Sequence, residues 1–419
     1  MSSSSAPQLP PTFHRLAWSN LAAQSAEQIA LAAAPLAAVL LLGAGEGLTG
    51  LLQTAVTLPF LLFALPAGLA ADRMPRRWLM AAAELLRAVA LVTVVGLILA
   101  GQITVTALAL LGLLSACGTV AFSVAAPALV PALVPPAAFA AANARIELAR
   151  TSALAAGPAL GGALVGFTGP AVAFALAAGL SLAAASLLAG IEEPVRAPVP
   201  HREIRRDLAA GLAFVFGHAL LRPVFVTQIV FGTSLFVIQA VFVPYALRHL
   251  GASPGAVGVI LAMYGIGMMV GALLATRVLA RLPFGVVVGL GPVSGFAASA
   301  VLAATIWWPS PWLAAAGFFV FGAGPILWVI TTTTLRQAVT PAAMLGRVSA
   351  INILSWGTRP LGAALGGLVG ARYGAEACLL LAVAGFAIQA IYLLLSPAVA
   401  LATQPTGPQG ATRGGATGV

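Results

Sequence analysis

The chain carries very little charge. Only 7% of its 419 residues are Asp, Glu, Lys or Arg, against about a quarter in a soluble globular domain. Lysine is absent altogether. With 61% hydrophobic residues and a mean hydropathy of +1.04, a water-soluble fold is excluded. Cysteine is scarce too. Cys117 and Cys378 lie far apart within apolar stretches, so neither a disulfide framework nor a metal or redox spacing is present. The four histidines (His14, His201, His218, His249) fall near loops, and no paired catalytic carboxylates or Ser/His arrangement marks an enzyme. The expectation is no enzyme activity, no metal and no cofactor. The Ser- and Pro-rich start through Pro11 lacks a basic flank and a small-residue cleavage site, and so does not read as a cleavable signal. The net charge of +10 comes from arginines spread over short connecting loops. That pattern argues against a nucleic-acid surface, and the use of Arg without Lys reads as coding bias.

What remains is a succession of apolar stretches, each long enough to cross about 30 Å of hydrocarbon. Alanine and leucine dominate them, which favours helices over the short alternating strands of a barrel. The predicted architecture is an all-α polytopic membrane protein with twelve transmembrane helices in two six-helix halves. The spans read as 16–42, 47–71, 78–100, 103–130, 141–166 and 169–190, then 222–248, 255–280, 284–306, 311–335, 344–371 and 374–396. Breaks fall at turn chemistry such as Gly43-Ala-Gly45, Pro135-Pro136, Gly169-Pro170 and Pro309-Ser-Pro311. Residues 1–15 form an N-terminal tail. The 191–221 segment is a charged linker whose Leu208, Leu212, Phe216 and Leu220 predict a short amphipathic helix on the membrane surface. The 397–419 tail, rich in Gly, Thr and Pro, predicts disorder.

Arginine placement orients the bundle. Arg15, Arg73, Arg76, Arg77, Arg196, Arg202, Arg205, Arg206, Arg277, Arg281, Arg336, Arg347 and Arg413 fall on one side, and Arg248 and Arg372 on the other. Positive loops stay cytoplasmic, so both termini are predicted inside, in a plasma (inner) membrane. The halves also echo each other. Pro136-Ala-Ala recurs at Pro341-Ala-Ala, and Gly157-Pro-Ala-Leu-Gly-Gly162 recurs as Gly362-Ala-Ala-Leu-Gly-Gly367, both at an offset of 205. Parallel repeats of this kind build a central cavity between two rocking halves.

Gly68-Leu-Ala-Ala-Asp72-Arg73-Met-Pro75-Arg76-Arg77 resembles the signature between helices two and three of the major facilitator superfamily, with Pro75 where the family usually has glycine. The resemblance implies that Gly68, Asp72, Arg73, Arg76 and Arg77 form a cytoplasmic gating motif. Gly157, Pro158, Gly161 and Gly162 resemble the core of the antiporter signature of drug-exporting members, although small residues also serve ordinary helix packing. The Leu133-Val-Pro-Pro136 stretch, Ala142-Asn143 and Gly346-Arg347-Val348 resemble the branch of enterobactin exporters and macrolide-efflux proteins. That resemblance implies a monomer that exports a small-molecule substrate through the lipid bilayer, with a proton as the coupling ion.

Charges within the spans are the candidate functional groups, since each costs about 2.5–3.5 kcal/mol at a helix centre even on a lenient scale. Glu27 has no basic residue within one turn and sits beside Gln24 and Gln28. It is either the proton-coupling carboxylate or one end of a salt bridge to Arg150 or Arg359. Glu84 and Arg87, three apart on one face, read as a structural ion pair. Glu147 and Arg150 share that spacing, and either pack together or take part in coupling and substrate binding. Gln53, Gln228, Gln239, Asn352 and Arg359 complete the candidate cavity. The reading is proton-driven export of small amphipathic compounds, drug-like molecules or a siderophore. Uptake of a metabolite, or a non-transporting sensor on the same fold, are the alternatives.

Overall fold

Hydrocarbon offers no water to a backbone N–H, so a chain this apolar must satisfy its peptide groups within helices. The computed structural model describes residues 10–63, 66–67, 70, 74–193, 204–341 and 344–405; among them are thirteen α-helices and no strand. In order these are α1 (Pro11–Leu42), α2 (Glu46–Leu62), α3 (Arg76–Leu99), α4 (Val105–Leu133), α5 (Phe139–Thr168), α6 (Pro170–Ala189), α7 (Ile204–Gly217), α8 (Leu221–Arg248), α9 (Pro254–Arg281), α10 (Phe284–Ala304), α11 (Pro311–Val339), α12 (Leu345–Leu354) and α13 (Arg359–Leu394). Ten are long and apolar enough to cross a membrane. The described part of α2 has 17 residues.

Turn chemistry ends the helices where expected. Gly43 closes α1 at φ 62°, and Ala44 N–H reaches back to Ala38 C=O at 3.0 Å. This is the left-handed cap that glycine allows. One boundary differs from the sequence expectation. The span expected at 344–371 is α12, a 3₁₀ turn at Ser355–Thr358, and only then α13. Pro360 in the first turn of α13 lacks an amide donor, so no continuous helix runs through it. The break expected before 374 falls at Gly374, whose φ of 84° is non-helical and kinks α13 there. The tail also stays on the bundle longer than its composition suggests. Gly285 N–H donates to Leu401 C=O at 2.8 Å, and Ala398 is buried. The part of the tail beyond 405 lies outside the described residues.

The amphipathic linker helix is present as α7, tied to α12 by Asp207–Arg347 at 2.7 Å, with Gly211 against the Arg347 backbone. His218 follows it. Its Nδ1 accepts from Leu220 N–H at 3.2 Å, and burial holds its imidazole below the ordinary pKa, as suits a neutral acceptor.

Helices α1–α6 pack among themselves, as do α8–α13, and small residues make both sets of contacts. A Cβ on Gly157 would meet Gln28 Cβ at 2.4 Å, and one on Gly161 would meet Ile29 C=O at 2.9 Å, so these glycines seat α5 on α1. Their repeat partners Gly362 and Gly366 seat α13 on α8 in the same way, against the carbonyls of Thr233 and Val237. The last glycine of each block faces outward to the other group. Gly162 meets Gly258 of α9, and Gly367 meets Gly50 of α2, backbone to backbone. One six-residue pattern thus makes the contact within a group and the contact between groups.

These crossings lie toward the face where α1 ends. Toward the other face, α4 and α11 pack mainly within their own groups, and α12 packs on α7. A Cβ on Gly50 would come within 2.2 Å of Gly367 Cα, whereas one on Gly96 meets nothing within 4 Å. Gly50→Ala is therefore expected to lower the thermal midpoint in detergent by an amount equivalent to about 1–3 kcal/mol. Gly96→Ala should leave it unchanged or raise it, because alanine is the better helix former. Equal midpoints for the two variants would refute the close crossing.

Candidate functional site

The deepest polar cluster is built on α1, α3 and α4. Glu84 and Arg87, three apart on α3, are 0% and 1% exposed and joined at 2.9 Å. The Arg87 guanidinium donates to both Glu84 oxygens, to Ala23 C=O at 3.0 Å and to Thr119 Oγ1 at 2.7 Å. Gly118 makes the last contact possible, since α4 there lies so close to α3 that a Cβ would meet Ala83 C=O at 2.6 Å. Glu27 enters from α1. Its carboxylate is 3.9 Å from Arg87 and 19% exposed. The expected pair Glu84–Arg87 is therefore formed, and the cation beside Glu27 is Arg87 from a neighbouring helix rather than Arg150 or Arg359. Those two arginines still act on Glu27 electrostatically at longer range.

Across the bundle, Arg359 lies over the ring of Phe60 at 5.7 Å and that of Phe236 at 5.5 Å, one from each group of helices. Gln53 donates to Gln239 at 3.3 Å and so joins α2 to α8. Glu147 and Arg150 form a two-pronged pair at 2.6 and 3.0 Å, both substantially exposed. Tyr264 of α9 is within electrostatic reach of Arg150 and Arg359. Gln28 lies on the α1–α5 seam, and Gln24, one turn earlier, is half-buried. Gln228 and Asn352 do not join this set. They line a small separate pocket with Arg336 between α7, α8, α11 and α12.

The face where α1 ends is closed by charge as well as by glycine. Arg248 at the end of α8 donates to Gly43 C=O at 3.2 Å and Ala44 C=O at 2.7 Å, with Glu46 at 4.0 Å. Beside it, Tyr245 stacks on His249, which sits 3.6 Å from Glu376. At the opposite face, Arg76 donates to Ala128 C=O and Arg77 to Ile191 C=O, while Arg77 N–H donates to Glu193 at 3.0 Å. Gly68, Asp72 and Arg73 lie outside the described residues.

Sequence reasoning missed Thr119, Phe60, Tyr264 and the role of Arg248. Only Arg248 left a signal, as a lone arginine on the side that has few.

The family model for transmembrane secretion effectors matches residues 2–406. The chain belongs to that family. It is a membrane transporter of the major facilitator superfamily, and its solved neighbours are transporters too. A bacterial homologue of the iron transporter ferroportin, in an inward-facing state, is 15% identical with a TM-score of 0.72, over 93% of this chain and 99% of that one. A bacterial homologue of the human lysosomal transporter Spinster, inward-facing and unoccupied, is 16% identical with a TM-score of 0.71, over 93% and 96%. The nucleoside transporter NupG is 15% identical with a TM-score of 0.69, over 92% and 98%. At these identities the likeness is one of fold alone. No curated protein matches the sequence significantly.

Removing Arg87 would leave two carboxylates buried without a cation, a change that typically destabilises by about 3–5 kcal/mol. Arg87→Met should sharply lower the thermal midpoint of the purified transporter. Arg87→Met combined with Glu84→Gln should recover most of the loss. A double variant no more stable than the single one would show that the pair is not what holds α3.

Proposed function

We propose that this transporter is a secondary active exporter of small amphipathic compounds, driven by proton entry, with Glu27 as the group that carries the proton. The observation behind this reading is a charge count. One buried guanidinium, Arg87, serves two carboxylates. With both ionised the cluster holds one negative charge, and a single proton makes it neutral. Glu84 is fully buried and bonded to Arg87 through both oxygens. Glu27 is more weakly held and is the less buried of the two. A proton therefore arrives at and leaves from Glu27.

The reading takes the helices as twelve crossings in two like-oriented six-helix halves, 16–190 and 222–396. It counts α2 as a span and α13 as two, joined at Gly374. Both termini are cytoplasmic and the membrane is the inner one. The protein works as a monomer. The 68–77 motif gates the cytoplasmic side. Gly157, Pro158, Gly161 and Gly162 serve the seam on which the halves rock. Export is favoured by the family's description as secretion effectors and by the antiporter-like glycine block. Glu147, already held on two prongs by Arg150 and open to water, belongs to the entrance rather than to the proton path.

The test is flux in proteoliposomes of known orientation. An imposed proton gradient should drive uphill movement of a transported amphipathic dye by the native protein. Glu27→Gln should abolish gradient-driven accumulation while leaving dye counterflow intact, whereas Glu147→Gln should keep both. Gradient-driven transport that survives in Glu27→Gln would remove Glu27 from the coupling path.

A further inference from the structure

The pocket between α7, α8, α11 and α12 has no part in the proposed proton cycle. Among the described residues its walls are six apolar side chains, Val215 of α7 and Phe225 of α8 among them, and three polar ones. The polar ones are Gln228 of α8, Arg336 of α11 and Asn352 of α12, and of the lining residues Arg336 alone is charged. Among the described residues no hydrogen bond or ion pair reaches its guanidinium, and no other charge acts on it. Arg347 of α12 differs in this respect, since it has Asp207 of α7 at 2.7 Å. Neither carboxamide in the pocket is hydrogen-bonded among the described residues, and Gln228 Oε1 is fully buried.

A half-buried cation against apolar walls is costly unless an opposite charge accompanies it. Its place in the last turn of α11 gives Arg336 the negative end of a helix dipole, which offsets part of that cost. The dipole supplies no counter-ion. Size decides what can. The cavity has a volume of about 20 Å³, on a scale where a single water needs about 10–15 Å³. A phosphate, an organic carboxylate or a lipid headgroup exceeds that room. A water fits and would satisfy Gln228, but it would leave the guanidinium charge uncompensated. A monatomic anion fits and compensates it. The Asn352 amide can donate to such an ion, and a half-turn of the Gln228 amide puts Nε2 in place of the orphaned Oε1.

We propose that this pocket is a halide site, in which Arg336 and the Asn352 and Gln228 carboxamides hold one chloride ion against apolar walls. The walls come from the linker helix α7 and from three C-terminal helices, so the ion fastens α7 to the bundle in addition to the Asp207–Arg347 bond. The site stands independently of the direction and coupling of transport.

The test is the thermal midpoint of the purified full chain in detergent, with sodium chloride exchanged for sodium gluconate at constant ionic strength. Chloride should raise the midpoint by about 2 °C or more and then saturate, as a ligand of the native state does. Bromide should act likewise. Gluconate is too large for the pocket, and as the more strongly excluded salt its non-specific effect runs in the opposite direction. Arg336→Gln should show the same midpoint in both salts. Should that variant fail to fold, native crystals grown in bromide decide the matter through an anomalous peak between Arg336, Gln228 and Asn352. Equal native midpoints in chloride and gluconate would mean that the pocket holds water and would overturn the proposal. So would a chloride response that survives in Arg336→Gln, or a bromide peak missing from the pocket. Stabilisation by phosphatidylglycerol that needs Arg336, without any chloride response, would assign the residue to a lipid headgroup and overturn it equally.

Discussion

Arg87 is the residue on which the polar interior depends. It is one of the largest side chains with essentially no solvent contact, and it donates to Ala23 C=O on α1, Glu84 on its own α3 and Thr119 on α4. A guanidinium placed in hydrocarbon would be prohibitive without such acceptors. With it, three helices are fixed in register, and a second carboxylate can stand nearby without its own cation. Glu27 is that second carboxylate. On the proposed reading, its value lies in being incompletely compensated, since a fully paired carboxylate would have no reason to exchange its proton.

The apolar part of the architecture obeys a different constraint, close approach of backbones. Lipid supplies no hydrophobic drive between helices, so association relies on packing and hydrogen bonds. The glycine block in α5 and its copy in α13 show how economically this is arranged. Two glycines in each seat the helix on its own group, and the next faces a glycine of the other group. The seal at the face where α1 ends adds Arg248 on the Gly43 and Ala44 carbonyls. These bonds cross between groups, and a swing that opens that face must break them. The bonds from Arg76 and Arg77 at the opposite face stay within the N-terminal group.

Much of the fold was legible in the residues. Apolar length and Gly/Pro punctuation located nearly every helix, because hydrocarbon thickness and backbone satisfaction leave few alternatives. The failure came at the turn before Pro360, which divides a span of uniform hydropathy. Of the site, local pairs were visible: Glu84–Arg87 and Glu147–Arg150 share a helix face, and three-residue spacing is a local property. The partner of Glu27 was not visible. Arg87 is 60 residues away, and which faces of α1 and α3 meet depends on packing that one sequence does not state. Gln228 and Asn352 line a pocket with Arg336, and polarity marks a residue as worth burying with care without saying in which cavity.

On the proposed reading, the position of Glu27 within α1 explains how a proton there could bear on a seal so far along the bundle. Gln28, its neighbour, is the residue against which Gly157 of α5 is seated, and Ile29 holds Gly161. One residue further along α5, Gly162 is in backbone contact with Gly258 of α9. A shift of α1 when the charge beside Arg87 changes cannot be absorbed by flexible side chains here, because the seam is backbone on backbone with no slack. Close-packed interfaces of this kind switch between arrangements rather than deform gradually. The tightness of the α1–α5 seam is therefore part of the coupling, and α5 adds to the direct contacts that α1 makes with the C-terminal helices.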